Sequence, residues 1–129
     1  MRIAPIAGII ITAVLLVAPS VPASFVPGSC SSGSVTLESY DTPVAVNTGG
    51  HHAAFTVKNT STDSATVTTS CSATKTLTCT FVSPDTFLLA PGGSRLVTVT
   101  FAAGGTAVAA AVNLFACSTS GQAWPISAQ

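Results

Sequence analysis

Along this chain apolar residues recur at every second position in short runs, and Gly, Pro, Asn, Asp and Ser collect between the runs. Over residues 52–59, Phe55 and Val57 alternate with Thr56 and Lys58; over 95–101, Val97, Val99 and Phe101 alternate with Thr98 and Thr100. A period of two is that of a strand with one face buried and one in water. The same phase places Val35, Leu37 and Ser39 together over 35–40. It groups Ala65, Val67, Thr69 and Cys71 over 65–71, and Leu77, Cys79 and Phe81 over 77–82.

Weaker runs fill the gaps. Residues 43–46 read as a short edge strand, a place where Pro43 is tolerated. Residues 87–89 read as a short apolar strand, and 124–127 close the chain. Residues 106–116 alternate weakly and are rich in alanine, as in a strand buried on both faces; a helix over 108–115 is the alternative, because alanine favours it. Turn chemistry separates the runs at 47–50, 59–64, 83–86, 90–93 and 104–105. Strands at this spacing predict an all-β antiparallel sandwich of about seven strands. No tandem repeat is visible.

The inner faces then supply Leu37, Val44, Val46, Phe55, Val57, Val67, Leu77, Phe81, Leu89, Val97, Val99, Phe101, Val112 and Leu114. Trp124 is placed either in this core or on the surface. Each such side chain contributes about 1.5–3 kcal/mol when fully buried, enough for a domain of this length.

The N-terminus has a different pattern. Arg2 precedes an apolar stretch over 9–17, and Val21 and Ala23 are small or tolerated residues at the −3 and −1 positions of a cleavage site, the form of a secretory signal over residues 1–23. A retained membrane span needs about 20 continuous apolar residues, and Pro19 and Pro22 interrupt this one. The expectation is an extracytoplasmic protein (periplasmic, cell-surface or extracellular) with no stable span after cleavage. Residues 24–33 form an extended Pro, Gly and Ser leader, and residues 34–129 the domain.

Four cysteines in an exported chain predict two disulfides. Cys71 and Cys79 are close in sequence, which favours Cys71–Cys79 with Cys30–Cys117 over the two other connectivities. No Cys-x-x-Cys spacing supports zinc.

Charge is scarce: beyond the signal, Lys58, Lys75 and Arg95 face Glu38, Asp41, Asp63 and Asp85. That is no footprint for nucleic acid. No catalytic, cofactor-binding or metal-ligating set emerges. His51 and His52 are adjacent, so on a strand they would point to opposite faces; they read as a solvated turn. Asp41, Asp63 and Asp85 read as turn-capping residues, and no nucleophile elbow occurs. Arg95 and Lys58 read as solvated surface charges. The threonine pairs Thr66/Thr68, Thr78/Thr80 and Thr98/Thr100 read as solvent faces of strands. Carbohydrate stacking would need exposed aromatics, for which Tyr40 and Trp124 are the candidates; they are also the expected interaction surface.

The run from Phe55 through Val57 and Asn59 to Thr62, followed by Cys71, Cys79, Ser83 and Pro84, resembles bacterial immunoglobulin-like domains of the cell-adhesion-related type. So do the turn Leu89, Pro91, Gly92, Ser94 and the strand Val97, Thr98, Val99 that follows it. The resemblance covers residues 34–129. It implies an immunoglobulin-like sandwich and a secreted, non-catalytic module for protein or cell-surface interaction. The alternative is a structural subunit that self-associates through edge-strand or donor-strand pairing, with the leader as donor.

Overall fold

The computed structural model describes residues 27–129. The signal expected over residues 1–23, and residues 24–26 of the leader, lie outside the described residues. The strands are β1 (Gly28–Ser29), β2 (Gly33–Tyr40), β3 (Thr48–Asn59), β4 (Ala65–Thr68) and β5 (Ser70–Ala73). They continue with β6 (Leu77–Ser83), β7 (Thr86–Leu89), β8 (Ser94–Ala103), β9 (Ala109–Ala116) and β10 (Thr119–Ser127).

One layer is the antiparallel sheet β2-β3-β8-β6. The facing layer consists of two three-stranded sheets, β10-β9-β5 and β1-β4-β7. All pairs are antiparallel except β1 with β4, which runs parallel. The architecture is an immunoglobulin-like β-sandwich. Its core is a single cluster to which β3 gives Phe55 and Val57, β8 gives Val97, Val99 and Phe101, and β9 gives Val112 and Leu114. Phe55, Phe101 and Leu114 are wholly buried.

The strands number ten, more than the seven or so expected, in part because the leader contributes β1 and one expected strand divides. Residues 65–71 break at Thr69, where β4 leaves the sheet of β7 and β5 joins that of β9. Thr69 is buried; its amide donates to Asp85 O (2.9 Å) and its hydroxyl lies 3.2 Å from both Pro84 O and Asp85 O. The expected inward phase still runs Ala65, Val67, Thr69, with Cys71 half-buried beyond it. The chain changes partners without changing face.

Two further expectations fail locally, and over residues 106–116 the expected strand forms, as β9, in place of the alternative helix over 108–115. Residues 43–46 form no strand; Val44 alone bridges Ala128, in parallel, although it is buried as expected. The turn at 47–50 shrinks, because β3 already begins at Thr48.

Register slips correct the expected core. Between Cys79 and Phe81 the β6–β8 pairing skips Thr80, so Phe81 falls opposite Thr100 and Val82 opposite Val99. A one-residue bulge reverses which face the following side chains occupy. Phe81 is therefore 58% exposed instead of in the core, and Val82 packs inward. A second slip skips Glu38 in β2 and turns Tyr40 toward the core. A third, between Ala110 and Val112, sets two residues of β10, Trp124 and Pro125, against Ala111 alone. Trp124 points outward, and Ile126, unread in the sequence, is wholly buried.

Asn59 ends β3 and is wholly buried. Its Nδ2 donates to Asp63 O (2.8 Å) and Leu89 O (3.2 Å), while its Oδ1 accepts from the Ser61 amide (3.0 Å) and hydroxyl (2.6 Å). Its backbone amide donates to Gly93 O (2.9 Å), and its carbonyl accepts from the Gly92 amide (2.8 Å). One side chain thus ties the β3–β4 turn to the β7–β8 turn. Gly92, at φ 74°, occupies the left-handed region that glycine tolerates without penalty.

Both disulfides take the favoured pairing. Cys71–Cys79 joins β5 to β6 across the layers, and Cys30–Cys117 ties the segment before β2 to the β9–β10 turn. That turn is a two-residue hairpin, Cys117 and Ser118, with φ of 50° and 58°, the primed-turn backbone whose twist suits a hairpin. Gly33 permits the approach: a Cβ there would lie 2.7 Å from Cys117 Cβ and 2.4 Å from Lys58 O.

Replacing Asn59 tests the joint. Asn59→Ala should cost about 2–4 kcal/mol by leaving carbonyls without donors, read by urea unfolding. Asn59→Asp should cost more at neutral pH, because a buried carboxylate would face carbonyl oxygens. Burial raises its folded-state pKa above the unfolded value, so stability should recover as pH falls toward about 4. An Asn59→Asp protein equally unstable at both pH values would contradict this.

For the disulfides, tryptic cleavage after Lys75 under non-reducing conditions should leave both fragments joined through Cys71–Cys79, as mass spectrometry would show. Loss of Cys30–Cys117, with a separation of 87 residues, should cost more than loss of Cys71–Cys79, about 4.5 against about 2.5 kcal/mol from loop-closure entropy. The third slip is tested by a pair of variants. Ile126→Ala should cost about 2–5 kcal/mol and Trp124→Ala under about 1 kcal/mol, as an exposed residue should. Equal losses would place Trp124 in the core.

Candidate functional site: the outer face of β5, β9 and β10

Strand alternation sorts the side chains of β9 and β10. Leu114, Ala116, Ala123 and Ile126 point inward and are buried. Phe115 and Asn113 on β9 point outward, as do Ser120, Gln122 and Trp124 on β10. Phe115 stands opposite Ser70 on one side and Ser120 on the other; Asn113 stands opposite Ser72 and Gln122. Gln122 Nε2 donates to Asn113 Oδ1 at 3.2 Å. The result is a strip with Phe115 (42% exposed) at one end, an amide pair in the middle and Trp124 (51% exposed) at the other. No residue of the three strands is charged.

At the Phe115 end the strip runs into a shallow depression of about 370 Å³. It opens at the seam where β4 passes into β5, between Thr68 and Ser70 on one side and Phe115, Ser118 and Ser120 on the other. Gly121 keeps this sheet close to the opposite layer: a Cβ there would lie 2.7 Å from Val35 Cγ1 and 3.2 Å from Phe55 Cδ2.

The two aromatic residues named from sequence meet but differ in role. Tyr40 is half-buried against the core, and its hydroxyl donates to Trp124 O at 3.3 Å. Its ring is committed to packing, and its polar end fixes the backbone under Trp124. Phe115, the second exposed aromatic of the strip, was not named in the sequence, although the phase that places Val112 and Leu114 inward puts it outward. Pairing with β5 and β10 decides what stands beside it.

Elsewhere the residues weighed for chemistry have structural partners. His51 and His52 lie in β3, not in a turn. His51 packs on Phe101 with centroids 5.7 Å apart and its Nε2 is 2.7 Å from Thr48 Oγ1. The His52 amide donates to Asp41 Oδ2 at 2.8 Å. Arg95 is not simply solvated: its guanidinium sits 5.5 Å above the Phe87 ring. Thr100 is buried and Thr80 donates to Thr100 O at 2.9 Å, so the threonine pairs do not form one open array. Among the described residues no cluster of three His, Cys, Asp or Glu could hold a metal ion.

The leader is already engaged within its own chain. Gly28 and Ser29 pair with β4, the Cys30 amide donates to Thr66 O (3.0 Å), and Cys30 is bonded to Cys117. Two disulfides mark an oxidising, extracytoplasmic environment. Among the described residues no helix is long and apolar enough to cross a membrane.

No protein-family model matches the chain, and no curated protein matches it in sequence. Among solved structures it is similar to part of Escherichia coli alpha-2-macroglobulin activated by porcine elastase. The identity is 14% and the TM-score 0.52, over 74% of this chain and 9% of that one. It is also similar to an ASH / PapD-like domain of human CEP192 (PapD-like domain 7), at 17% identity and a TM-score of 0.41, over 92% of this chain and 95% of that one. This chain thus spans under a tenth of the length of the alpha-2-macroglobulin chain, and at such identity the likeness to it shows a shared β-sandwich fold alone.

Proposed function

We propose that this protein is a secreted, non-catalytic module of the bacterial immunoglobulin-like, cell-adhesion-related type, and that it engages a cell-surface component through the outer face of β5, β9 and β10. The observation that carries this reading is the strip itself: two exposed aromatics on a flat, uncharged strand face, held over a core cross-linked by two disulfides. The rigid strands place both rings at fixed positions, which favours recognition over chemistry. The histidines and the carboxylates of Asp41, Asp63 and Asp85 lie off this strip, in β3 and in turns.

A second reading, assembly through strand edges, draws on Phe81 and Leu88. Both are exposed, and each lies on the outermost strand of its sheet, β6 and β7. The donor-strand form would first require the leader to leave β4.

Binding of labelled mature protein to envelopes of the producing organism tests the first reading. Binding should be saturable and weakened by Trp124→Ala or Phe115→Ala, with folding intact. It should change little between low and moderate salt, since the face has no ion pairs to screen. Binding that ignored both substitutions, or collapsed with salt, would overturn it. Size-exclusion chromatography over a range of concentrations tests the second: ordered oligomers lost in Phe81→Ala would support assembly.

A further inference from the structure

Resting on that reading of the face, the geometry points to its ligand class: the strip from Phe115 to Trp124 is a binding track for an uncharged polysaccharide chain. Four observations carry the inference. Trp124 lies four residues along β10 from Ser120, the partner of Phe115, so the strip is about 13 Å long at strand rise. That span suits a chain of sugar rings rather than a single ring. The C–H faces of pyranose rings are apolar and lie flat on aromatic rings, leaving their hydroxyls at the rim.

The rim here is built for hydroxyls. The Gln122–Asn113 bond uses one donor hydrogen and one acceptor. The pair keeps three amide hydrogens and the Gln122 carbonyl for a ligand. The hydroxyls of Ser70 and Ser120 flank the Phe115 ring and make no hydrogen bond to another described side chain or backbone group. Such groups both donate and accept, as sugar hydroxyls do.

The remaining observations select against other partners. With no charged residue on β5, β9 or β10, an anionic glycan or nucleic acid would find no counter-charge. The apolar area is divided between two separate rings with amides between them. A protein partner would need a contiguous desolvated centre, which this strip lacks.

Affinity electrophoresis in native gels tests the inference with defined probes: dissolved dextran, laminarin or hydroxyethylcellulose, with alginate as the anionic control. The expected result is retardation by at least one neutral polymer and none by alginate. Phe115→Ala and Trp124→Ala should each weaken the retardation at least about tenfold, whereas Phe81→Ala on the opposite layer should leave it unchanged. Circular dichroism of each variant keeps misfolding from being scored as loss.

Envelope binding separates this inference from the reading beneath it. If envelope binding needs Trp124 and Phe115 but survives periodate treatment of the envelopes and is lost after protease treatment, the ligand is a protein. The polysaccharide inference then fails while the proposed function stands. If binding is lost after periodate and survives protease, both are supported. If the protein binds no envelope, the proposed function fails and the gels decide alone, a lack of retardation by every neutral polymer overturning the inference.

Discussion

The fold turns on one buried amide. Asn59 leaves the β3 ladder with its backbone bonded to Gly92 and Gly93, and its side chain holds Asp63, Leu89 and Ser61. A buried amide is costly unless satisfied, and this one is satisfied by groups from two separate turns. Those turns set where β4 and β8 begin. From them follow the pairing of β4 with β7 and of β8 with β3, and so the relative placement of the layers. Phe55 and Val57, four and two residues earlier on the same strand, fill the core that this joint closes.

The disulfides act at other seams. Cys71–Cys79 links the layers just beyond the point where the chain changes sheets and beside the slip in β6. Cys30–Cys117 pins the segment before β2 to a hairpin turn whose residues both adopt left-handed backbone. Each bond reinforces a position where regular pairing is interrupted. In a small domain with little charge, cross-links at such points limit local opening.

What the domain shows to solvent is decided in part by its bulges. The slip in β6 exposes Phe81, and the slip between β9 and β10 turns Ile126 inward, two residues after Trp124, which alternation with Ser120 and Gln122 already faces outward. The slip in β2 brings Tyr40 inward, where its hydroxyl reaches the Trp124 carbonyl. Without its bulge β6 would have kept Phe81 in the core. The candidate face of β5, β9 and β10 instead follows regular alternation from Phe115 to Trp124, and none of its three strands carries a charged residue.

The sequence by itself determined the β class, the sandwich and most of the core, and it favoured the disulfide pairing that forms. Alternation over β3 and β8 is strict, the turns between strands carry their own chemistry, and Cys71 and Cys79 are close along the chain. It also contained both halves of the Asn59 joint, the strand end and the Leu89–Ser94 turn, without showing that one bonds the other. Tertiary structure alone decided that contact, because it joins residues about thirty positions apart. It alone decided the fate of Phe81, Trp124 and Ile126. A strand's faces are fixed by its period only until a bulge, and a bulge arises from pairing with a neighbour that local sequence does not specify. In the alanine-rich β9 the phase was weak, yet it placed Val112 and Leu114 inward and so Phe115 outward. What the sequence could not show is that Phe115, Asn113, Gln122 and Trp124 share one face, because that depends on the pairing of β9 with β5 and β10.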